Sequence, residues 1–294
     1  MFTRKYVCVL DVEGMSGKRP YNIGYIIGDL HGNIKVRRSF ALMPFVMENL
    51  STAIKSAQET AREMTHRNIK EILENPSKYH WDMPQTFFDR FIQDLMENDV
   101  KEIWAYNCAF DKSAISRVME YLDKDNILLQ MGISWLDIWS AIVMTKCCCK
   151  KYVKFCKKNG FMTEKGNCKT SAEVVWGYLT NNPNFEEEHT GLADCEIEYK
   201  ILLTAKSTKK KVDGTIRNPW KLVQQFCEQN EIWQKREFFP LFICNFVNDY
   251  TLFSIICYLK QENGNIKKRW KMWINYEWAR ARAGTILLFF LLYS

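Results

Sequence analysis

The pattern of apolar and polar positions at the start of the chain predicts three β-strands joined by short turns. Tyr6–Val12 is an apolar run that ends in acidic residues, as is typical of a strand buried on both faces of a sheet. Tyr21–Asp29 and Ile34–Ala41 have a similar strand-like character, and Gly32 lies in the polar turn between them. We therefore expect an antiparallel meander.

Beyond the meander, the apolar spacing predicts helices that alternate with short strands. A polar stretch from about residue 45 to 84 contains helical spacing and predicts an insertion over the sheet. Helices are expected at Ser51–Met64, Arg67–Glu74, Phe87–Met96, Asp111–Leu122, Ser171–Leu179 and Gly191–Ala205, and strands at Glu102–Tyr106 and Ile133–Asp137. This order indicates an α/β domain with a mixed sheet flanked by helices.

The character of the chain changes beyond Lys206. Ser207–Asp213 is a basic segment that indicates a linker, and the residues from about Pro219 onward are rich in aromatic residues and lysine without a recognisable motif. We therefore divide the chain into a domain of residues 1–206 and a C-terminal region of residues 207–294 of undefined role. That region could be a docking segment or be merely structural.

Composition narrows the class of protein. Hydrophobic residues make up 47% of the chain and aromatic residues 14%, which is enough for a packed core and excludes global disorder. The 41 basic and 34 acidic residues give a net charge of +7, which weakly favours polyanionic partners. The apolar run Ile286–Tyr293 is much shorter than the ~20 residues that a membrane span needs, so no membrane partner is expected.

The cysteines indicate a reducing compartment. The chain has eleven cysteines but is far too long for a small disulfide scaffold, and no apolar signal core follows Met1–Lys5, so we expect a cytoplasmic location. Cys147, Cys148 and Cys149 are adjacent, and this spacing differs from the paired ligands of a zinc site. Free thiols are therefore the expectation.

Two segments carry helix-start signals. Asp137, in the segment WLDIW, is placed to end a strand and cap a helix, and a catalytic role is less expected there. Thr170–Glu173 has the spacing of a capping box before the helix that follows.

Two carboxylates lie at the end of the first predicted strand. Asp11 and Glu13 are two residues apart, so both side chains point to the same face. Neighbouring carboxylates repel each other unless a cation is present, and Mg²⁺ or Mn²⁺ prefers such oxygen ligands. The alternative is a strand that simply ends in surface acids.

A third acid, Asp111, closes the segment Asn107–Asp111, between a predicted strand and a predicted helix. Functional residues often lie in such loops. Asp is also a common helix N-cap, and both interpretations can hold together.

The last acidic segment is His189–Asp194. Five residues correspond to about 500° of helical rotation, so the two end residues would diverge if both lay on one helix. We therefore expect His189 in a loop and Asp194 in the first turns of the helix, where an acid complements the helix dipole. The alternative for His189 is an exposed side chain beside the acidic run Glu186–Glu188.

Together, DVEG, NCAFD and HTGLAD resemble the motifs of the DEDDh family of 3′→5′ exonucleases, which includes polymerase proofreading subunits, ribonuclease T and oligoribonuclease. The resemblance covers roughly residues 5 to 205 in order, spacing and predicted context. It implies a ribonuclease H-like fold of three antiparallel strands followed by parallel strands. The family often has Thr or Ser after the first-motif Glu, where this chain has Gly14. That departure concerns substrate preference.

The resemblance also implies a mechanism. Two Mg²⁺ (or Mn²⁺) ions roughly 4 Å apart would activate a water and neutralise the leaving oxygen of a phosphodiester. Asp11 would bridge both ions, Glu13 and Asp194 would complete the site of the attacking water, and Asp111 would hold the second ion. His189 would act as general base, for which an unperturbed pKa of ~6.5 is suitable.

The expected substrate is a single-stranded or frayed 3′ end of DNA or RNA, released as nucleoside monophosphates. Gly14, Met15, Asn107 and Phe110 neighbour the motifs and are candidate substrate contacts, as is Tyr106, although ordinary packing explains the apolar ones equally well. The basic runs Lys209–Lys211 and Lys267–Arg269 could hold the strand or be solvated surface. The alternatives are a proofreading accessory subunit of a DNA polymerase and a nucleic-acid-binding module without catalysis.

Overall fold

The computed structural model describes residues 5–15, 17–55, 59–124, 127–210 and 212–229, and two short strands further on. Chain contacts divide the protein into two units, Met1–Glu231 and Ile232–Ser294. Within the second unit, Gln261–Glu262 pairs antiparallel with Asn265–Ile266. The basic run Lys267–Arg269 and the apolar run Ile286–Tyr293 lie outside the described residues, as does most of the predicted aromatic-rich region.

The first unit is built on a six-stranded mixed sheet. Its strands are β1 (Tyr6–Glu13), β2 (Asn22–Asp29), β3 (Ile34–Leu42), β4 (His80–Asp82), β5 (Glu102–Ala105) and β6 (Ser134–Asp137), in the order β4-β3-β2-β1-β5-β6. β1, β2 and β3 form the predicted antiparallel meander. β4 pairs parallel to β3, and β5 and β6 extend the sheet parallel to β1 on its other side. The α/β class and the mixed sheet are confirmed.

Helices cover both faces of the sheet. They are α1 (Met43–Lys55), α2 (Glu59–Glu74), α3 (Pro84–Glu97), α4 (Ala109–Tyr121), α5 (Ile127–Gln130), α6 (Ile138–Ile142), α7 (Lys150–Lys158), α8 (Ala172–Thr180) and α9 (Gly191–Lys206). A 3₁₀ turn spans Pro76–Lys78, a π-helical turn spans Val143–Cys147, and residues 220–229 are helical. The insertion predicted at about 45–84 contains α1 and α2, but it also contributes the edge strand β4, so it is not wholly helical.

The period of two in β1 assigns its side chains to two cores. Cys8, Leu10 and Val12 belong to the core on the face that also contains the buried residues of α3 and α4. Val7 and Val9 belong to the opposite core, which contains the buried residues of α6, α8 and α9. Successive side chains of a strand alternate between faces, so the residues two and four beyond Val9 continue toward α9.

Residues beyond α9 also pack on the first unit, although the sequence suggested a boundary at residue 206. The Asp137 N–H donates a hydrogen bond to the Gly214 carbonyl oxygen at 2.9 Å, and the Ser140 hydroxyl donates to the Ile216 carbonyl oxygen at 2.8 Å. Val223 and Cys227 are buried in the core that contains α9. Residues 212–229 therefore complete this core.

The nine cysteines in the described part of the chain are free thiols, as expected. Within the same residues, no helix is both long enough and apolar enough to cross a membrane.

Candidate metal centre

The first two acids of the site are set by the end of β1. Asp11 and Glu13 lie opposite Gly24 and Asn22 of β2 in the antiparallel register. Both project from the face of the sheet on which α9 packs, because they share the parity of Val9. The hydrogen bonds of the central strand thus hold two carboxylates side by side at the same edge.

Asp111 lies in the first turn of α4 and is attached to the same strand. The Val12 N–H donates a hydrogen bond to Asp111 Oδ1 at 3.2 Å, and Asp111 is only 2% exposed. The N-cap of α4 is Cys108, which makes no side-chain cap. The interpretation of Asp111 as the N-cap is therefore wrong, and its carboxylate joins α4 to the residue beside Asp11.

The start of α9 approaches β2 at a contact between two glycines. A Cβ on Gly24 would lie 2.1 Å from the Gly191 carbonyl carbon, and a Cβ on Gly191 would lie 2.5 Å from the Gly24 nitrogen. The Gly191 N–H donates a hydrogen bond to Asn22 Oδ1 at 2.8 Å. Cys195 then donates its thiol to the Gly24 carbonyl oxygen at 3.2 Å. This backbone contact places Asp194 beside the end of β1.

His189 lies in the loop before α9, where the five-residue spacing placed it. Its backbone φ is 55°, in the left-handed region, and Thr190 is the N-cap of the helix. One ligand atom each from Glu13, His189 and Asp194 lie within 4.8 Å of one another, so the three could hold a metal ion. A non-glycine residue with positive φ is uncommon and often lies at a functional site.

These residues line one open cleft of about 380 Å³. Four of the five predicted active-site residues line it: Asp11, Glu13, His189 and Asp194. Asp111 lies beside Val12, next to the cleft. The other lining residues are Tyr106, Asn107, Trp139, Thr170, Ser171, Ala172, Glu187 and Glu198. No Lys or Arg of the described residues lines this cleft, whose ionisable lining residues are five acids, one tyrosine and one histidine.

Sequence reasoning missed two of the acids. Glu198 is 4% exposed and accepts a hydrogen bond from the Tyr106 N–H at 3.3 Å through Oε2. It lies four residues after Asp194, and this helical spacing was the signal that could have found it. Glu187 belongs to the acidic run Glu186–Glu188 before His189, and a run of acids by itself indicates only solvated surface.

One wall of the cleft is aromatic. The rings of Tyr106 and Trp139 are stacked, with centroids 6.5 Å apart and an interplanar angle of 22°. The Tyr106 hydroxyl donates to the Thr170 carbonyl oxygen at 2.6 Å, and Trp139 Nε1 donates to Thr170 Oγ1 at 2.9 Å. Thr170 therefore holds both rings, and Ser171 is the N-cap of α8, one residue later than the capping box predicted. Asp137 caps α6 as predicted by accepting from the Trp139 N–H.

The carboxyl groups of the cleft resist ionisation. Burial, and then the charge of Asp11, raise the pKa of Asp194 to about 8. Burial and the charge of Asp194 raise the pKa of Glu187 to about 8. Burial is also the main cause that raises the pKa of Asp11, Glu13 and Glu198, with repulsion from neighbouring acids added. The electrostatic cost of ionising these acids is what a bound cation would relieve.

His189 shifts in the opposite direction. Burial, followed by the positive charge of Arg67, lowers the pKa of the imidazole below its usual 6.5, and Glu173 partly opposes this. The ring is therefore mostly neutral at pH 7 and has a free nitrogen lone pair.

Two carboxylate oxygens in the cleft are buried without a hydrogen-bond partner. They are Asp11 Oδ2 and Asp194 Oδ1. Leaving a buried acceptor unsatisfied is costly, and buried charges are normally paired or coordinate a metal. Oxygen ligands of this kind suit Mg²⁺ and Mn²⁺, so the residues of the site fit a divalent cation.

The candidate substrate contacts occupy different places. Asn107 lines the cleft with a φ of 59° and donates its N–H to Asp137 Oδ1 at 3.1 Å. Gly14 and Met15 follow β1, and the Met15 N–H donates to Asn49 Oδ1 at 2.9 Å. Phe110 is 36% exposed at the start of α4. Of these four, only Asn107 lines the cleft, and their roles as substrate contacts stay predictions.

No protein-family model matches the chain, and no curated protein is significantly similar to it in sequence. The functional inference therefore depends on the residues themselves and their geometry.

Proposed function

We propose that this protein is a metal-dependent 3′→5′ exonuclease of the DEDDh type, which hydrolyses phosphodiester bonds at the 3′ end of DNA or RNA. The observation that carries the proposal is the meeting of Asp11, Glu13, Asp194 and His189 in one cleft, with two buried carboxylate oxygens lacking partners. The order and direction of the strands are compatible with a ribonuclease H-like layout.

Asp11, Glu13 and Asp194 would hold the cations, with Asp111 supporting from the adjacent turn of α4. The bound ions would supply a water of lowered pKa and positive charge near the phosphate. The buried carboxylates would keep the ions in a fixed position, because β1 and α9 are joined by backbone contacts at Gly24 and Gly191.

His189 would accept the proton of the attacking water on its unprotonated ring nitrogen. Its lowered pKa keeps that nitrogen free at neutral pH, and its position in the loop before α9 leaves it beside the carboxylates. The stacked rings of Tyr106 and Trp139 would provide an apolar wall against the terminal base, since aromatic faces bind bases without regard to sequence.

The direct test is product analysis on 5′-labelled single-stranded DNA and RNA. With Mg²⁺, the wild-type chain is expected to give a ladder of shortened products, and EDTA is expected to stop it. Asp11→Asn should lower kcat/KM by at least about 100-fold, because it removes charge at the reacting centre without changing side-chain size.

Asp89→Asn is the matched control, because Asp89 is an exposed acid on α3 that accepts a hydrogen bond from Gln85 Nε2, away from the cleft. It should leave the ladder unchanged. A wild-type protein that binds the oligonucleotides but never shortens them would support a non-catalytic binding module instead. Shortening only alongside a co-purified polymerase would support a proofreading subunit.

A further inference from the structure

A second feature of the first unit carries charge of the opposite sign. Lys151, Lys154 and Lys158 lie at spacings of three and four residues on α7, so they share one face of the helix. All three are exposed, whereas Tyr152 and Cys156 on the other face are buried in the core. In the described part of the chain, no carboxylate forms an ion pair with any of the three lysines.

The three lysines line a groove of about 430 Å³ between α7 and the end of α8. Phe155, Tyr178 and Asn181 also line it, and no acidic residue of the described chain does. The Phe155 and Tyr178 rings pack edge to face with centroids 5.5 Å apart, and both are partly exposed. The groove thus combines ammonium groups with aromatic surface.

Helix α8 connects this groove to the candidate metal centre. Ser171 and Ala172 at its start line the cleft, and Tyr178 near its end lines the groove. Seven residues of helix correspond to about 10 Å, a distance that a few nucleotides of extended strand can span. A single-stranded nucleic acid whose 3′ end lies in the acidic cleft would therefore place the phosphates of its preceding nucleotides at the groove.

We propose that the α7–α8 groove binds the sugar-phosphate backbone of single-stranded nucleic acid, upstream of the 3′ end that enters the cleft. Lysine side chains are suited to neutralise successive phosphates, and aromatic rings are suited to stack on bases without sequence preference. The position relative to the 3′ end rests on the proposed function. The binding of a polyanionic strand by the groove does not.

The groove also resolves an electrostatic difficulty. A cleft lined by five carboxylates repels a polyanion wherever its charge is uncompensated by cations. Positive charge about one helix length away would hold the strand while its end occupies the cleft. The groove should therefore contribute to substrate affinity and leave the chemical step unchanged.

The test replaces Lys151, Lys154 and Lys158 together by Gln. The matched control replaces Lys35, Lys70 and Lys101 by Gln, because these lysines are exposed, lie outside the groove and remove the same charge. With substrates of about 12 nucleotides, a length typical of single-strand sites, the groove variant should show a KM raised about tenfold and a kcat changed less than about twofold. A dinucleotide, too short to reach the groove, should be hydrolysed equally by all three proteins.

Binding is measured separately by fluorescence anisotropy in EDTA, with Asp11→Asn as the parent protein so that no strand is consumed. Loss of three phosphate contacts should reduce the slope of log Kd against log salt by about two, at ~0.7 per contact for single strands. The control variant should keep the parent slope.

The two proposals can fail separately. If the wild-type protein degrades nothing but the groove variant alone loses strand binding, the exonuclease proposal fails and the groove proposal stands. If the ladder forms and the groove variant matches the control in KM and in salt slope, the groove proposal is overturned. Absence of strand binding by the parent protein would also overturn it.

Discussion

At the scale of single residues, the acids of the cleft oppose one another. Asp11, Glu13, Glu187, Asp194 and Glu198 line a space that contains no Lys or Arg of the described chain. Each ionised carboxylate raises the free energy of ionising the next, and burial removes the water that would screen them. Ionisation of the cleft acids without a bound cation therefore destabilises the folded protein, and this should be measurable as a dependence of the free energy of unfolding on pH.

Stability in EDTA should fall as pH rises from 6.5 to 8. Asp194 has a pKa of about 8 in the folded state against 3.8 in the unfolded chain, so the folded state binds more protons across that interval. His189 has a lowered folded pKa and opposes this trend only below about 6.5, where the unfolded histidine is protonated. Urea unfolding at a series of pH values measures the effect.

Asp194→Asn is the informative variant for this dependence. An amide does not titrate, so the decline between pH 6.5 and 8 should become shallower, and Mg²⁺ should stabilise the wild type more at pH 8 than at pH 5. An unchanged slope in the variant would show that Asp194 is ionised in the folded protein without a cation.

At the scale of elements, the contact between β2 and α9 determines the geometry of the site. Gly191→Ala would put a methyl group 2.5 Å from the Gly24 nitrogen, so α9 must move away from the sheet. We expect a loss of more than about 2 kcal/mol in the free energy of unfolding, as for overpacked sites. The proposed nuclease activity should fall with it, because Asp194 moves with the helix.

Gly24→Ala tests the same contact from the strand, where the added Cβ would meet the Gly191 carbonyl carbon. Chemical denaturation and the ladder assay should show the same two losses. Wild-type stability in both variants would mean that α9 does not approach β2 this closely.

The long, strongly patterned elements were predictable from sequence. Tyr6–Glu13 carries its own signal because its apolar run is continuous and ends in two acids, and the helix Gly191–Lys206 begins at a glycine after a predicted loop. β4 was not predictable, because three residues form a strand only through pairing with β3. α7 was missed because its lysines mask a short buried face.

The site was predictable wherever a motif contained the residue. To place Glu198 in the cleft, one must know that the Tyr106 N–H donates a hydrogen bond to it, and the two residues are 92 positions apart. The position of Trp139 in the cleft depends on its hydrogen bond to Thr170, which lies 31 residues later in the chain. The four-residue spacing from Asp194 indicates only that Glu198 shares a face of α9, and the contacts that bring Glu198 and Trp139 to the cleft come from tertiary packing.

At the scale of the whole molecule, residues 212–229 contribute to the free energy of unfolding of the first unit. A chain that ends at residue 206 would lack Gly214, whose carbonyl oxygen accepts a hydrogen bond from the Asp137 N–H. It would also lack Val223 and Cys227, so the core residues that they cover would be exposed to solvent. We expect it to be less stable by at least about 3 kcal/mol than a chain that ends at residue 231, since a buried aliphatic side chain contributes about 1.5–3 kcal/mol.

Thermal and urea unfolding of the two truncated chains provide the comparison, with metal absent from both. Equal stability would place residues 207–229 outside the folded core. If the proposed exonuclease activity is found, a chain that ends at residue 231 and still shortens the labelled strands would locate it within the first unit.

The hydrogen bonds that join β1 and β2 to α9 have a consequence for folding during biosynthesis. The hydrogen bonds that join them connect residues 169 to 186 positions apart, including Asn22 to Gly191 and Cys195 to Val9. Contacts this distant form late and slowly, because a long loop must close first. A nascent chain on the ribosome therefore carries Asp11 and Glu13 without Asp194 and His189 until α9 has emerged, so the candidate metal centre cannot assemble before synthesis of the first unit is nearly finished.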